Sequence, residues 1–339
     1  MGWNEAWTMR PAAGEDVQLV ADMVNARLDT SQSSVRTSAE HVNTWWSGPH
    51  FTLSKDTRIV LDDTGRAVGM AHIWSPMTPY VSVDCSALVH PDVEKCEALW
   101  DRLYGWATER AREYIPLAPD GARVVACEGV GEKEKARRAA IERAGYEMVR
   151  VTNRMRIDLS GTLQDAEWSE EISVRTACIE KDLRAIVAAD VESIRDHWGY
   201  VEKPFEAELA RWKEHIESEG EWFDPTLWFL AVDGGEIAGF SLCSGHVGDD
   251  ATRGYVRSLC VRPSYRKRGI ARALLLHSFA ELRHRGLEAV ELEVDSESLT
   301  GALRLYERAG MVLKQRIIEY ETVLRNGDDL TTRELAGPA

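Results

Sequence analysis

The chain has 339 residues, 44% of them hydrophobic and 29% charged, and a formal net charge of −15. That length exceeds one ordinary core and that composition is too apolar for disorder, so two globular domains are expected. The acidic balance excludes nucleic acid as the main partner, because phosphate binding needs a basic surface, and no apolar run approaches the roughly 20 residues that span a bilayer.

The start, MGWNEAWTMR, has no signal-peptide core, and a cytoplasmic protein, monomer or homodimer, is expected. Six cysteines are scattered without a CxxC pair, and nine histidines show no HExxH spacing. Reduced thiols and no metal are the expectation.

In chain order the sequence states one plan twice. Met9-Arg10-Pro11-Ala12, then Glu15-Asp16 and an apolar-periodic helix, is echoed faintly by Val174-Arg175-Thr176-Ala177, Glu180 and a second helix. A strand, glycine turn and strand follow at Leu61 to Gly69 and again at Ala231 to Gly239. Ala87-Leu88-Val89-His90-Pro91 then leads into a helix around Trp100 to Arg112, as Leu259-Cys260-Val261-Arg262-Pro263 leads into one from about Ile270 to Arg285. Strands at Arg123 to Cys127 and Ala289 to Val294 precede helices that both end in Glu-Arg-Ala-Gly, at Gly145 and Gly310, where glycine is a natural helix stop.

The repeated order predicts a mixed α/β (α+β) fold with helices packed on a sheet in each half. The expected bounds are a first domain over 1–160, a polar linker over 161–172, a second domain over 173–326 and a loose tail over 327–339.

Chemistry is concentrated in the second copy. An apolar strand runs into Arg266-Lys267-Arg268-Gly269-Ile270-Ala271-Arg272, and that turn opens a helix. The first backbone N–H groups of a helix lack intrahelical partners and lie at the positive end of its dipole, so they suit a diphosphate. Gly269 lets the backbone approach, Ala271 keeps the next turn narrow, and Arg266, Lys267, Arg268 and Arg272 are expected to supply charge. The pattern is neither a dinucleotide GxGxxG nor a P-loop.

This stretch resembles the GNAT superfamily, whose (Arg/Gln)-x-x-Gly-x-(Gly/Ala) turn it matches at every fixed position. A strand at Val290 to Val294, and Ala302-Leu303-Arg304-Leu305-Tyr306-Glu307-Arg308-Ala309-Gly310-Met311, match the family's following elements. The resemblance covers residues 173 to 325, and the first half by repetition. It implies two tandem GNAT folds, each a mixed, mostly antiparallel sheet flanked by helices, with acetyl-CoA as co-substrate. By the same resemblance the backbone of Leu259, Cys260 and Val261 would bind the acetyl carbonyl and pantetheine, Ile270 and Ser298 would line the cofactor, and Tyr306 would protonate the departing thiolate.

Among tandem members the chain is similar to the mycothiol synthase type. That type is expected to carry a Glu near Tyr255 and Arg257 and an Asn at Ser298, so the acceptor stays open. Glu192, His197 and Trp198, and Glu293 on the strand beside the cleft, are acceptor-binding candidates. The sequence singles out no general base. A small-molecule amine is the expected acceptor; a lysine or N-terminal protein amine, or a silent CoA-binding module, are the alternatives. In the first copy, aligning Pro91 with Pro263 puts Glu94, Glu97 and Leu99 where Arg266, Gly269 and Ala271 stand, and Ile141 falls at Tyr306. Two carboxylates and a bulky side chain there predict a half without CoA.

Overall fold

The computed structural model describes residues 3–30, 36–48, 50–74, 78–94, 96–298 and 301–333. The first copy comprises β1 (Thr8–Arg10), α1 (Val17–Thr30), α2 (Ala39–Trp46), α3 (Leu53–Asp56), β2 (Thr57–Leu61), β3 (Ala67–Trp74), β4 (Ser82–Val89), α4 (Glu97–Arg112), β5 (Val124–Gly131), α5 (Lys135–Arg143) and β6 (Glu147–Asp158). The second comprises β7 (Ile172–Thr176), α6 (Ile179–Ile194), α7 (Phe205–Glu219), β8 (Trp228–Asp233), β9 (Glu236–Ser244), β10 (Arg253–Val261), α8 (Ile270–His284), β11 (Ala289–Asp295), α9 (Ala302–Arg308) and β12 (Val312–Arg325). No helix among the described residues is long and apolar enough to cross a membrane.

Each helix buries the stripe its sequence writes. In α4, Leu99, Trp100, Leu103, Tyr104, Ala107 and Ala111 recur at helical spacing and are buried. In α8 the apolar positions run from Ile270 to Leu282 and pack with β11 residues Leu292 and Val294 into the core of the second unit. A second cluster there joins α6 and α7 to the other side of the sheet through Ile186, Val187, Leu209, Trp212, Phe240 and Cys260.

The faint echo at the start of each copy is a shared device. Arg10 grips Asp16 with two hydrogen bonds of 2.7 Å, and Asp16 accepts the Ala13 N–H at 2.8 Å. Arg175 grips Asp182 at 2.6 and 2.8 Å, and Asp182 accepts the Cys178 N–H at 2.8 Å. In both, the arginine hydrogen bond holds the carboxyl below its usual range. The carboxylate caps the helix entry and ties it to the first strand.

The copies exchange their last strands. β12 pairs antiparallel with β5, Ile317 opposite Gly131 through Arg325 opposite Val124. β6 pairs antiparallel with β11, Ala289 opposite Asp158 through Asp295 opposite Thr152. The compact units are accordingly 1–151 with 317–330, and 152–316 with 331–339. The expected contiguous bounds therefore shift, because hydrogen bonding assigns the strand after each terminal helix to the other copy's sheet. The polar stretch from Leu159 to Glu171 carries no helix or strand.

A loose tail is not what 327–333 form. Arg123 N–H donates to the Asp328 carbonyl at 2.8 Å, Gly199 N–H to Thr332 at 2.8 Å and Thr332 N–H to Tyr200 at 2.8 Å. These anchors are backbone groups, which the polar side chains of the stretch do not announce; 334–339 lie outside the described residues.

Candidate active site

β10 and β11 run parallel and pair only from Arg253 opposite Ala289 to Tyr255 opposite Glu291. β10 then continues to Val261 and β11 to Asp295 with no further pairing between them. On its other edge β10 remains bonded to β9 as far as Val261 opposite Gly239, with a register shift between Val256 and Ser258. The shift is a bulge, and bulges re-aim strands at functional sites. Beyond Tyr255 one edge of β10 thus borders a wedge where an extended ligand can add as a strand. Leu259, Cys260 and Val261 lie on this edge, as the motif requires.

Tyr306 packs in the same core cluster as Val256, Leu292 and Val294, beside Leu259 and Val261, and is 7% exposed. Its hydroxyl makes no hydrogen bond among the described residues. Burial, with the Cys260 thiol nearby, pushes its phenol far above the ordinary value. The group stays protonated at neutral pH and has a proton to give. Ser298 sits in the turn between β11 and α9, donating its N–H to the Asp295 carbonyl at 3.1 Å; Leu299 and Thr300, which follow it, lie outside the described residues.

At the end of β10 the chain makes one tight turn, Pro263–Tyr265, and enters α8 through Lys267 at φ 64° and Gly269 at φ 80°. Gly269 is the residue before α8, and its left-handed backbone disfavours any side chain. Ile270 is buried, Ala271 and Arg272 are half-buried, and Lys267, Arg268 and Gly269 are exposed.

The side chains depart from the sequence expectation. Arg266 binds Asp196 at 2.7 Å, the Ser193 carbonyl at 2.9 Å and the Val261 carbonyl at 3.3 Å. It fastens the end of α6 to the end of β10. Arg268 pairs with Glu171 at 2.7 Å, and Arg272 with Gln164 at 2.6 Å. Lys267 alone of the four has no partner among the described residues, and it stands beside the backbone N–H groups that open α8.

The acceptor candidates are likewise committed. Glu192 receives the Arg262 Nε at 2.8 Å, and Glu293 pairs with Arg154 at 2.6 Å. His197 lies 4.0 Å from Asp196, and burial, with Arg266 opposing the carboxylate, holds it below its ordinary value. The Arg333 guanidinium covers Trp198, 4.5 Å from the ring centroid. Glu291 is wholly buried among Arg253, Arg156 and Lys314. Arg257 holds Glu219 at 2.7 Å, and burial pushes the Tyr255 phenol up to about 12.

Sequence reasoning missed Asp190. This α6 carboxylate is 5% exposed and has no ion pair among the described residues. Its Oδ1 accepts from the Cys260 thiol at 3.7 Å. The signal was available: Leu183, Ile186 and Val187 define the buried stripe of α6, and Asp190 falls on it one turn further on, where no arginine among the described residues pairs with it as Arg175 pairs with Asp182.

The first copy builds the same wedge and fills it. β4 pairs parallel with β5 only from Ser82 opposite Val125 to Asp84 opposite Cys127, although β4 runs to Val89. Ala87, which aligns with Leu259, donates its N–H to Glu128 Oε1 at 3.3 Å. Glu128 also accepts the Tyr104 hydroxyl at 2.5 Å and pairs with Arg137, which reaches Ser86 at 3.0 Å. Val89, which aligns with Val261, accepts Arg27 at 3.2 Å, and Arg27 pairs with Glu134. Side chains of the unit occupy the edge that is open in the second copy.

The Acetyltransferase (GNAT) family model matches residues 195–311. A mycothiol acetyltransferase of Thermobispora bispora is 35% identical over 175 residues, 49% of this chain; the match spans little more than half of that relative, 56%. The crystal structure of a GCN5-related N-acetyltransferase from Sphaerobacter thermophilus superposes with a TM-score of 0.82 at 31% identity, covering 96% of this chain and 98% of the other. A tandem GNAT protein from the clavulanic acid biosynthesis pathway shares the fold, with a TM-score of 0.71 at 15% identity, over 95% of this chain and all of its own, 100%. The chain belongs to the GCN5-related N-acetyltransferase (GNAT) family of acyltransferases, as a tandem of two such folds.

Proposed function

We propose that the second unit is an acetyl-CoA-dependent N-acetyltransferase that transfers acetyl to a primary amine of a small molecule by direct attack in a ternary complex. The observation that carries this reading is the wedge beyond Tyr255, open on the β10 edge, bounded by Tyr306 and leading to the start of α8. Leu259, Cys260 and Val261 offer backbone groups to the acetyl carbonyl and pantetheine. The α8 entry, with Gly269 and Lys267, receives the diphosphate. Tyr306, neutral and buried, protonates the leaving thiolate.

The relatives' name points to an acceptor related to mycothiol. Against carrying it over whole, Tyr255 is a phenol and Arg257 is tied to Glu219, in the stretch where that type is expected to have a carboxylate. The reading therefore stops at a small amine. In the first unit Glu128 and Arg27 already satisfy Ala87 and Val89, which supports a half that takes no CoA.

Calorimetry with acetyl-CoA tests both parts. One site per chain is expected, with Tyr306→Phe lowering kcat by about 100-fold or more at unchanged acetyl-CoA affinity. Two sites would overturn the silent first unit, and none would remove the transferase reading.

A further inference from the structure

Burying a carboxylate away from a cation is costly, and proteins seldom do it without a use. Asp190 is 5% exposed, yet its neighbours are neutral or already engaged. From β10 it faces the Cys260 thiol at 3.7 Å and Ser258, whose hydroxyl lies 3.3 Å from the Cys260 sulfur. From α7 it feels Arg211 and Glu208, and these pair with one another at 2.9 Å while Lys203 holds Glu208 at 3.3 Å. Ser258 and Cys260 belong to the part of β10 that has left β11. Asp190 thus stands over the strand segment that frames the wedge, on the α6 side of the sheet, whereas Tyr306 packs with α8 on the other.

We infer that Asp190 is the proton acceptor for the incoming amine, directly or through one water; the inference rests on the transferase reading above. An alkyl ammonium with a pKa near 10 has about one molecule in a thousand ready to attack at pH 7, so a base is required. Asp190 takes one proton from the ammonium. The freed lone pair forms the C–N bond as the C–S bond breaks, and the electron pair departs on sulfur. Tyr306 protonates that thiolate, and the second nitrogen proton returns to the phenol through solvent. A base on one side of the sheet and an acid on the other separate the two proton transfers. Burial raises the Asp190 carboxyl to about 6, which suits a base that must accept a proton near neutrality and lose it again.

The test is Asp190→Asn in the full chain, with propylamine, glucosamine and cysteine amide as acceptors. Acetyl-CoA affinity should stay within about twofold, kcat should fall by about 100-fold or more, and the rise of the rate through about pH 6 should disappear. A variant with wild-type kcat and pH profile would overturn the assignment while leaving the transferase reading intact. Wild-type protein that binds no acetyl-CoA would remove both. A further arm needs no acceptor. A carboxyl raised from its unfolded value is charged at a cost in the folded state above about pH 6, so Asn should unfold at a higher temperature than Asp at pH 8 and at the same temperature at pH 3. A variant less stable than wild type at pH 8 would make Asp190 a structural residue and sink the proposal.

Discussion

Both units splay the strand before the long helix from its parallel neighbour after three paired positions, yet only one of the resulting wedges is left open. In the first unit the gap is occupied by Glu128, Arg137, Arg27 and Glu134, two carboxylates against two guanidiniums, and Glu128 and Arg27 satisfy Ala87 and Val89. In the second, among the described residues, the matching edge has only Arg266 at the Val261 carbonyl, at its far end. The fold by itself therefore does not make a binding site. A wedge exposes backbone groups that must find partners, and a unit can supply them from its own side chains or reserve them for a ligand.

The largest effect that can probe this difference is on stability. Glu128→Ala takes from the buried Arg137 guanidinium its nearer carboxylate, leaving Glu134 at 3.4 Å, and should destabilise the first unit by about 3 kcal/mol, read by denaturant titration; Glu128→Leu with Arg137→Met should recover most of it. If Glu128→Ala unfolds like wild type, the plug is not what closes that wedge. Next is Gly269→Glu in the open unit, which copies the first unit's Glu97 into a left-handed position and should weaken acetyl-CoA binding by about 100-fold, roughly 2.7 kcal/mol, without loss of helical signal. Unchanged affinity would refute the assigned turn.

Acid should separate the units more gently. Burial, with Arg137 adding to it, lowers His72 of β3 from about 6.5 to about 3, and its ring lies edge-on to Trp45 at 4.4 Å. A base whose folded value is depressed stabilises the protein above its unfolded value and ceases to do so as pH falls through the folded one. Discounted for the part-exposed ring, wild type should lose on the order of 2 kcal/mol more than His72→Phe between pH 7 and pH 3. Asp190 has the opposite sign, since its neutral form is the one the fold prefers, so acid relieves the second unit. Equal acid sensitivity of wild type and the His72 variant would remove that contrast. The smallest effect is expected of Lys267→Ala, about threefold to fivefold weaker acetyl-CoA binding, the contribution of one exposed ammonium, with a shallower salt dependence. A loss as large as that at Gly269 would mean that the side chain, not the backbone, carries the phosphate site.

Much of this was legible beforehand. Every strand and helix of the repeated order formed, because hydrophobic period, the turn glycines and the terminal Glu-Arg-Ala-Gly all act over a few residues. The turn after β10 and Tyr306 were legible for the same reason. What each charge does was not: Arg266, Arg268 and Arg272 were expected to face a diphosphate, and they hold Asp196, Glu171 and Gln164. Glu171 is 97 residues from Arg268, and no local pattern announces such a pair. Asp190 was hidden differently, as one acidic residue among the 56 of an acidic chain until its burial was known.

The sequence by itself determined two copies of one α/β plan, a helix entered through a left-handed glycine in the second and carboxylates at the matching place in the first, because propensity, period and backbone chirality are written residue by residue. Only the tertiary structure decided which strand completes which sheet, which wedge stays open and which carboxylate is left without a cation, because those outcomes depend on partners that meet across the fold and compete for the same few buried groups.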